Sequence, residues 1–268
     1  MQARDQGLVL KAACLYTTAF LLTLLLHELG HALMSWALGG APVLHNSYVD
    51  SRTPNMSDRA SLLIALAGPV LSLVQGILFL LLARGSRSGS SRALFGLYLG
   101  VFGVINFLGY VMTSPFVPYG DLGQVMTLLH MPTWGAVLAA VLAAAVLVVI
   151  IRSTGDWFLR FVPTIEGQAA KEAFLTKRRA MQALIFWPWV VGSIVITVLS
   201  WPLPTVLSII YPIMSPLVLG SAFGQALRNP SFGAAETPSL VRTPAWVPVV
   251  ALLVLATVYR ALQGGVAL

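Results

Sequence analysis

Apolar stretches long enough to cross a bilayer recur along almost the whole of this 268-residue chain. That recurrence limits the fold more than any single residue does. A helix needs about 20 residues to traverse the hydrocarbon core. Inside lipid every backbone N–H and C=O must find a partner within the protein, which leaves helices and closed barrels. Runs of this length read as helices. They fall at about 12–38, 60–83, 93–112, 134–151, 180–201, 205–223 and 246–262. The chain is therefore predicted to be an all-α polytopic membrane protein with about seven transmembrane helices. Only 9% of its residues are charged, against about a quarter in an ordinary soluble domain, and this excludes a water-soluble globule. No extramembrane stretch has the length of a second folded domain.

The formal charge of +7 does not point to nucleic acid, because the basic residues sit in short loops beside the apolar runs. There they act as topology signals. With the amino terminus in the cytoplasm, thirteen Lys and Arg fall on that side, and only Arg52, Arg59 and Arg260 fall on the other. The predicted orientation is amino terminus in and carboxyl terminus out. The single cysteine, Cys14, lies inside the first run, so no internal disulfide is expected. That first run carries polar residues and no nearby small-x-small site, which reads as a span and not as a cleaved signal peptide. Pro188, Pro212 and Pro216 fall in or beside the later spans. Proline removes a backbone donor, so neighbours must satisfy the carbonyls it frees. The seven Trp and seven Tyr mostly flank the runs and read as interfacial anchors.

The chemistry is concentrated in His27-Glu28-Leu29-Gly30-His31, two thirds of the way along the first span. Residues i and i+4 share one helix face about 6 Å apart, so His27 and His31 can offer two imidazole nitrogens to one metal ion. Glu28 sits beside that ion. From there it can take a proton from a water and deliver it to a leaving amine. An acidic residue at the centre of a membrane helix costs about 2.5 to 3.5 kcal/mol on insertion scales, and a cation offsets that cost. The alternative reading is a polar cluster that hydrogen-bonds between helices.

A catalytic zinc site usually has three protein ligands. The other candidates are His45, His130, Asp50, Asp58, Asp121, Asp156, Glu166, Glu172 and Glu236. His27 lies about 23 Å along the helix from Ala12, toward the non-cytoplasmic end. Asp121 follows the third span on the same side, whereas Asp156, Glu166 and Glu172 fall opposite. Asp121 also closes a Pro- and Gly-rich stretch, Ser114 to Gly123, and irregular backbone at membrane depth belongs where it lines a cavity. Asp121 is the favoured third ligand, with His130 and His45 as substitutes. A solvated turn is its bland reading.

An intramembrane HExxH, a span carrying Ala67-Gly68-Pro69 and a Pro/Gly-rich segment ending in an Asp turn together resemble the site-2 protease family of intramembrane zinc metalloproteases. The resemblance covers about residues 15–130. It implies Zn2+ held by His27, His31 and Asp121, acid/base catalysis by Glu28, and a membrane-protein substrate. That family usually carries an Asn, two prolines and then Leu-Asp-Gly. Here the ending is Tyr119-Gly120-Asp121-Leu122-Gly123, and Asn106 stands farther upstream. Residues 1–133 then form a metalloprotease-like core, and 134–268 add helices to which the sequence assigns no role.

Two other functions fit the same residues: a non-proteolytic metal-binding membrane protein, or a metalloenzyme acting on a lipid-soluble small molecule. A transporter fits least, because the ionisable residues cluster at one depth. Gly30 and Gly68 are expected to be close-packing points between the first two spans. Residues 39–49 read as a connecting loop, or as an extended strand able to pair with an unwound substrate.

Overall fold

The computed structural model describes residues 3–51, 56–162, 170–202, 207–229 and 238–268. Glu166 and Glu236 lie outside them. The first helix, α1 (Ala3–Ala37), is followed by two short antiparallel strands, β1 (Pro42–Leu44) and β2 (Val49–Ser51). Next come α2 (Asp58–Gly85), α3 (Ser91–Thr113), the short α4 (Asp121–Leu128) and α5 (Thr133–Ser153). A small α6 (Gly155–Phe158) leads toward α7 (Ala170–Met181), which runs through a π-helical turn at Gln182–Phe186 into α8 (Trp187–Leu199). Then follow α9 (Leu207–Met214), α10 (Leu219–Arg228), the four-residue α11 (Ser239–Arg242) and α12 (Trp246–Ala261). The strand β3 (Val266–Ala267) closes the described chain.

Among the described residues, seven helical segments are long and apolar enough to cross a membrane, and each overlaps one of the runs legible in the sequence. Their exposed faces are apolar as well. Val74, Leu78 and Leu81 on α2, Val141 and Val149 on α5, and Leu253 and Val254 on α12 all point outward. Water would penalise such stripes and lipid does not, so the chain is a multi-pass membrane protein.

The helix α1 sits at the centre, in contact with α2, α3, α8 and α12. Its Tyr16 ring meets Phe102 edge-on at 4.8 Å and Tyr98 at 5.5 Å, and Phe20 meets Phe102 at 5.1 Å. Small residues let the helices approach closely, as is usual in membrane bundles; α2 and α3 meet where Gly76 faces Gly103.

Pro188 and Pro216 behave as the sequence requires. Pro188 cannot bond the carbonyl four residues back, and that carbonyl, on Leu184, instead accepts from the Tyr98 hydroxyl at 2.5 Å. Pro216 likewise frees the carbonyl of Pro212, which accepts from Ser193 Oγ at 2.7 Å. The tyrosines differ from expectation. Tyr16, Tyr98, Tyr110, Tyr211 and Tyr259 all lie within helices, and Tyr16, Tyr98 and Tyr259 are fully buried. A phenol can serve as an internal donor as readily as it marks an interface, and Tyr98 does so here. The exposed Trp36, Trp134, Trp201 and Trp246 keep to helix ends, as anchors do.

The stretch after the first span is strand and not plain loop. The sheet order is β2-β1-β3, with Val43 opposite Asp50 on one side and Ala267 on the other. A partner distant in sequence supplies the third strand, and local reading of 39–49 could not foresee it.

A candidate metal centre

One unbroken helix carries His27, Glu28 and His31, so their relative placement follows from helix geometry. The two imidazole rings lie 4.8 Å apart between centroids, steeply inclined to one another. The third member arrives from a different element. After α3 ends, a tight turn through Val117 and Gly120 leads to Asp121, the first residue of α4. The turn depends on Gly123, where a Cβ would come within 2.1 Å of the Val117 carbonyl. It carries the Asp121 carboxylate back over the face of α1.

Three ligand atoms converge there. His27 Nε2 lies 2.9 Å from Asp121 Oδ2, His31 Nε2 lies 3.1 Å from His27 Nε2, and His31 Nε2 lies 3.4 Å from Asp121 Oδ2. Ligands held about 2.0–2.2 Å from one tetrahedral zinc stand about 3.3–3.5 Å apart. The observed triangle is close to that spacing, so His27, His31 and Asp121 could hold a metal ion. The outer nitrogens support the same conclusion. His31 Nδ1 lies 2.6 Å from the Ile64 carbonyl. A carbonyl only accepts, so Nδ1 carries the proton and a neutral His31 directs the Nε2 lone pair at the other two ligands. His27 Nδ1 lies 3.2 Å from Ser72 Oγ. Outer hydrogen bonds of this kind orient metal-bound imidazoles. A cation is a natural partner for the His31 lone pair and the Asp121 carboxylate, which face one another in a low-dielectric interior.

Packing sets the same geometry. Gly68 lies against His31, and a Cβ there would come within 2.3 Å of Nε2. At Gly30 an added Cβ would meet the Ala67 carbonyl at 2.8 Å. The Ala67-Gly68-Pro69 segment therefore makes room for the second histidine, and both glycines are the close-packing points expected. Below the site, Gln75 Nε2 donates to Thr23 Oγ1 at 2.7 Å and to the Leu99 carbonyl at 3.0 Å, tying α1, α2 and α3 together. Burial alone would push the Asp121 carboxyl up, but its contacts with the two imidazoles outweigh it and hold the group well below the usual carboxylate range.

Glu28 is buried, yet it opens onto a cavity of about 950 Å³ together with His31 and Asp121. Its carboxylate makes no hydrogen bond to another described residue, which leaves it available to a water or substrate proton. Helices from the second half of the chain supply most of the far wall, through Leu147, Ile196, Tyr211, Leu217 and Tyr259.

The remaining candidates lie elsewhere. His45 stacks on Tyr48 at 4.2 Å, with its Nδ1 3.2 Å from the Gln263 carbonyl. His130 follows α4 with a positive φ of 50°. Asp156 accepts from Asn229 Nδ2 at 2.8 Å. Asp50 lies in β2, Asp58 begins α2 and Glu172 lies in α7. None of these joins His27, His31 and Asp121, the one such group among the described residues. Asn106 also stands apart from the metal triangle and donates to the Tyr211 hydroxyl at 3.0 Å, bonding α3 to α9.

Three contributors escaped the sequence reading: Ser72, the Ile64 carbonyl and Tyr110, whose ring stacks on His27 at 4.8 Å and 15°. A tyrosine near the end of an apolar run was the only available signal. In comparisons with known proteins, no family model, no curated protein and no solved structure matches this chain.

Proposed function

We propose that this protein is a zinc-dependent intramembrane endopeptidase that cleaves a peptide bond in or near a transmembrane segment of another membrane protein. The observation that carries the reading is the joint placement of a preformed two-histidine, one-aspartate triangle and an unbonded glutamate on the wall of one cavity. Structural metal sites are closed, whereas catalytic ones keep a position open to water or substrate. A zinc ion held by His27, His31 and Asp121 would act as a Lewis acid toward a scissile carbonyl and toward water.

The chain's own groups do the rest. Glu28 receives the proton of the attacking water and passes it to the departing amine. Ser72 and the Ile64 carbonyl hold the imidazoles in place. The apolar walls admit a lipid-embedded segment and keep bulk water away. A helical substrate hides its carbonyls in hydrogen bonds, so it must unwind locally, and helix-breaking residues near the cut are expected. The charge count supports a site toward the non-cytoplasmic side.

The test combines metal analysis with proteolysis. Purified protein in lipid nanodiscs should bind one zinc per chain and cleave a single-span substrate carrying a Gly/Pro-weakened helix. Glu28→Gln should keep the zinc and lose the cleavage. A wild-type protein that holds zinc but cleaves no peptide would defeat the protease reading.

A further inference from the structure

The groups at the metal centre itself are mostly acceptors. Glu28 and Asp121 are carboxylates, His31 spends its Nδ1 proton on Ile64, and the Thr113 hydroxyl on the cavity wall donates back to the Gly109 carbonyl. Addition of water to an amide puts a full negative charge on the former carbonyl oxygen. In a dry cavity that charge needs a hydrogen-bond donor fixed in advance.

We propose that the Tyr110 hydroxyl is that donor, which makes Tyr110 a catalytic residue of the reaction proposed above. Its ring lies nearly parallel to the His27 imidazole, 4.8 Å away. The phenol therefore stands beside the metal ligands and lines the same cavity as Glu28, His31 and Asp121. Its hydroxyl is turned toward Asp121. The ring is held from behind as well. Tyr211 packs against it at 6.4 Å, and Asn106 fixes Tyr211 through the bond to its hydroxyl. A phenol clamped between an imidazole and a second phenol is organised before substrate arrives, and that fixed placement gives electrostatic stabilisation its strength.

The step balances simply. The water oxygen bonds to the carbonyl carbon, the C=O π pair moves onto the carbonyl oxygen, and the water proton passes to Glu28. Tyr110 donates a hydrogen bond to the new oxyanion and keeps its own proton. When the C–N bond breaks, the electron pair returns to re-form C=O, and Glu28 protonates the departing nitrogen.

Tyr110→Phe keeps the ring on His27 and removes only the hydroxyl. Loss of one oxyanion donor costs about 100- to 1,000-fold in kcat. The variant in nanodiscs should show that loss with KM within about twofold of wild type, and its zinc affinity, read by chelator competition, should be unchanged. Affinity for a peptidyl phosphinate, a tetrahedral oxyanion mimic, should fall with kcat, whereas affinity for the uncleaved parent peptide should not. Wild-type kcat in Tyr110→Phe, or unaltered phosphinate affinity, would overturn the assignment and leave the protease reading standing. Loss of zinc in Tyr110→Phe would also overturn it, by moving the hydroxyl to a metal-retaining role. A wild-type protein without zinc or cleavage would instead remove the protease reading, and this inference with it.

Discussion

The first three spans and the two later spans built from α7–α10 solve the problem of polar groups in lipid differently. In α1–α3 the helices are long, and several polar groups are paired in a buried centre: Gln75 with Thr23, His31 with Ile64, His27 with Ser72. In α7–α10 prolines and a π-helical turn break the helices. There the freed carbonyls of Leu184 and Pro212 are repaired singly by the distant hydroxyls of Tyr98 and Ser193. The first arrangement concentrates chemistry. The second permits irregular helices that shape the far wall of a cavity. The first half carries the candidate ligands and Glu28, and the second half forms much of the cavity wall.

Substitutions can break that contrast or sharpen it. The largest effect is expected at Glu28. Glu28→Gln should lower cleavage by about 100- to 10,000-fold, the range for a positioned acid/base group, with zinc content unchanged on metal analysis. Wild-type cleavage in that variant would end the proposed mechanism. Asp121→Ala removes a whole ligand and should weaken zinc binding by more than the ~100-fold upper figure for an outer-sphere partner. Full occupancy in chelator competition would take Asp121 out of the site. Ser72→Ala removes only the hydroxyl behind His27 and should cost about 10- to 100-fold in zinc affinity. The smallest effect belongs to the second half. Ser193→Ala leaves the Pro212 carbonyl unrepaired and should lower stability by about 0.6–2 kcal/mol, read as a drop in Tm in detergent. Its zinc affinity should match wild type, and a loss of zinc there would erase the division of labour.

What the sequence reveals follows the same division. The spans were legible because hydropathy over 20 residues is a local property. The paired histidines were legible because i, i+4 spacing fixes a shared helix face. Asp121 could be placed at the right depth from the end of its span, and the turn at Gly123 supplies the close return that spacing alone does not specify. Ser72 and Tyr110 reach His27 from two other helices, and the rotation of one helix against another leaves no mark in the spacing of either. His45 and His130 were plausible for the same reason, and three-dimensional placement alone separates them from the metal group. The sheet was illegible in half: β1 and β2 are close in sequence, whereas β3 comes from beyond the last span.

That distant strand has a wider meaning. Residues just past α1 are held edge to edge with residues just past α12, and Gly265 turns the chain from that last helical segment into β3 at a φ of 77°. The bundle is thus sewn shut like a purse at one rim, its earliest and latest spans sharing a seam. A cut in the link before Thr133 would part the polypeptide on a gel, yet the two pieces should still travel together through a sizing column.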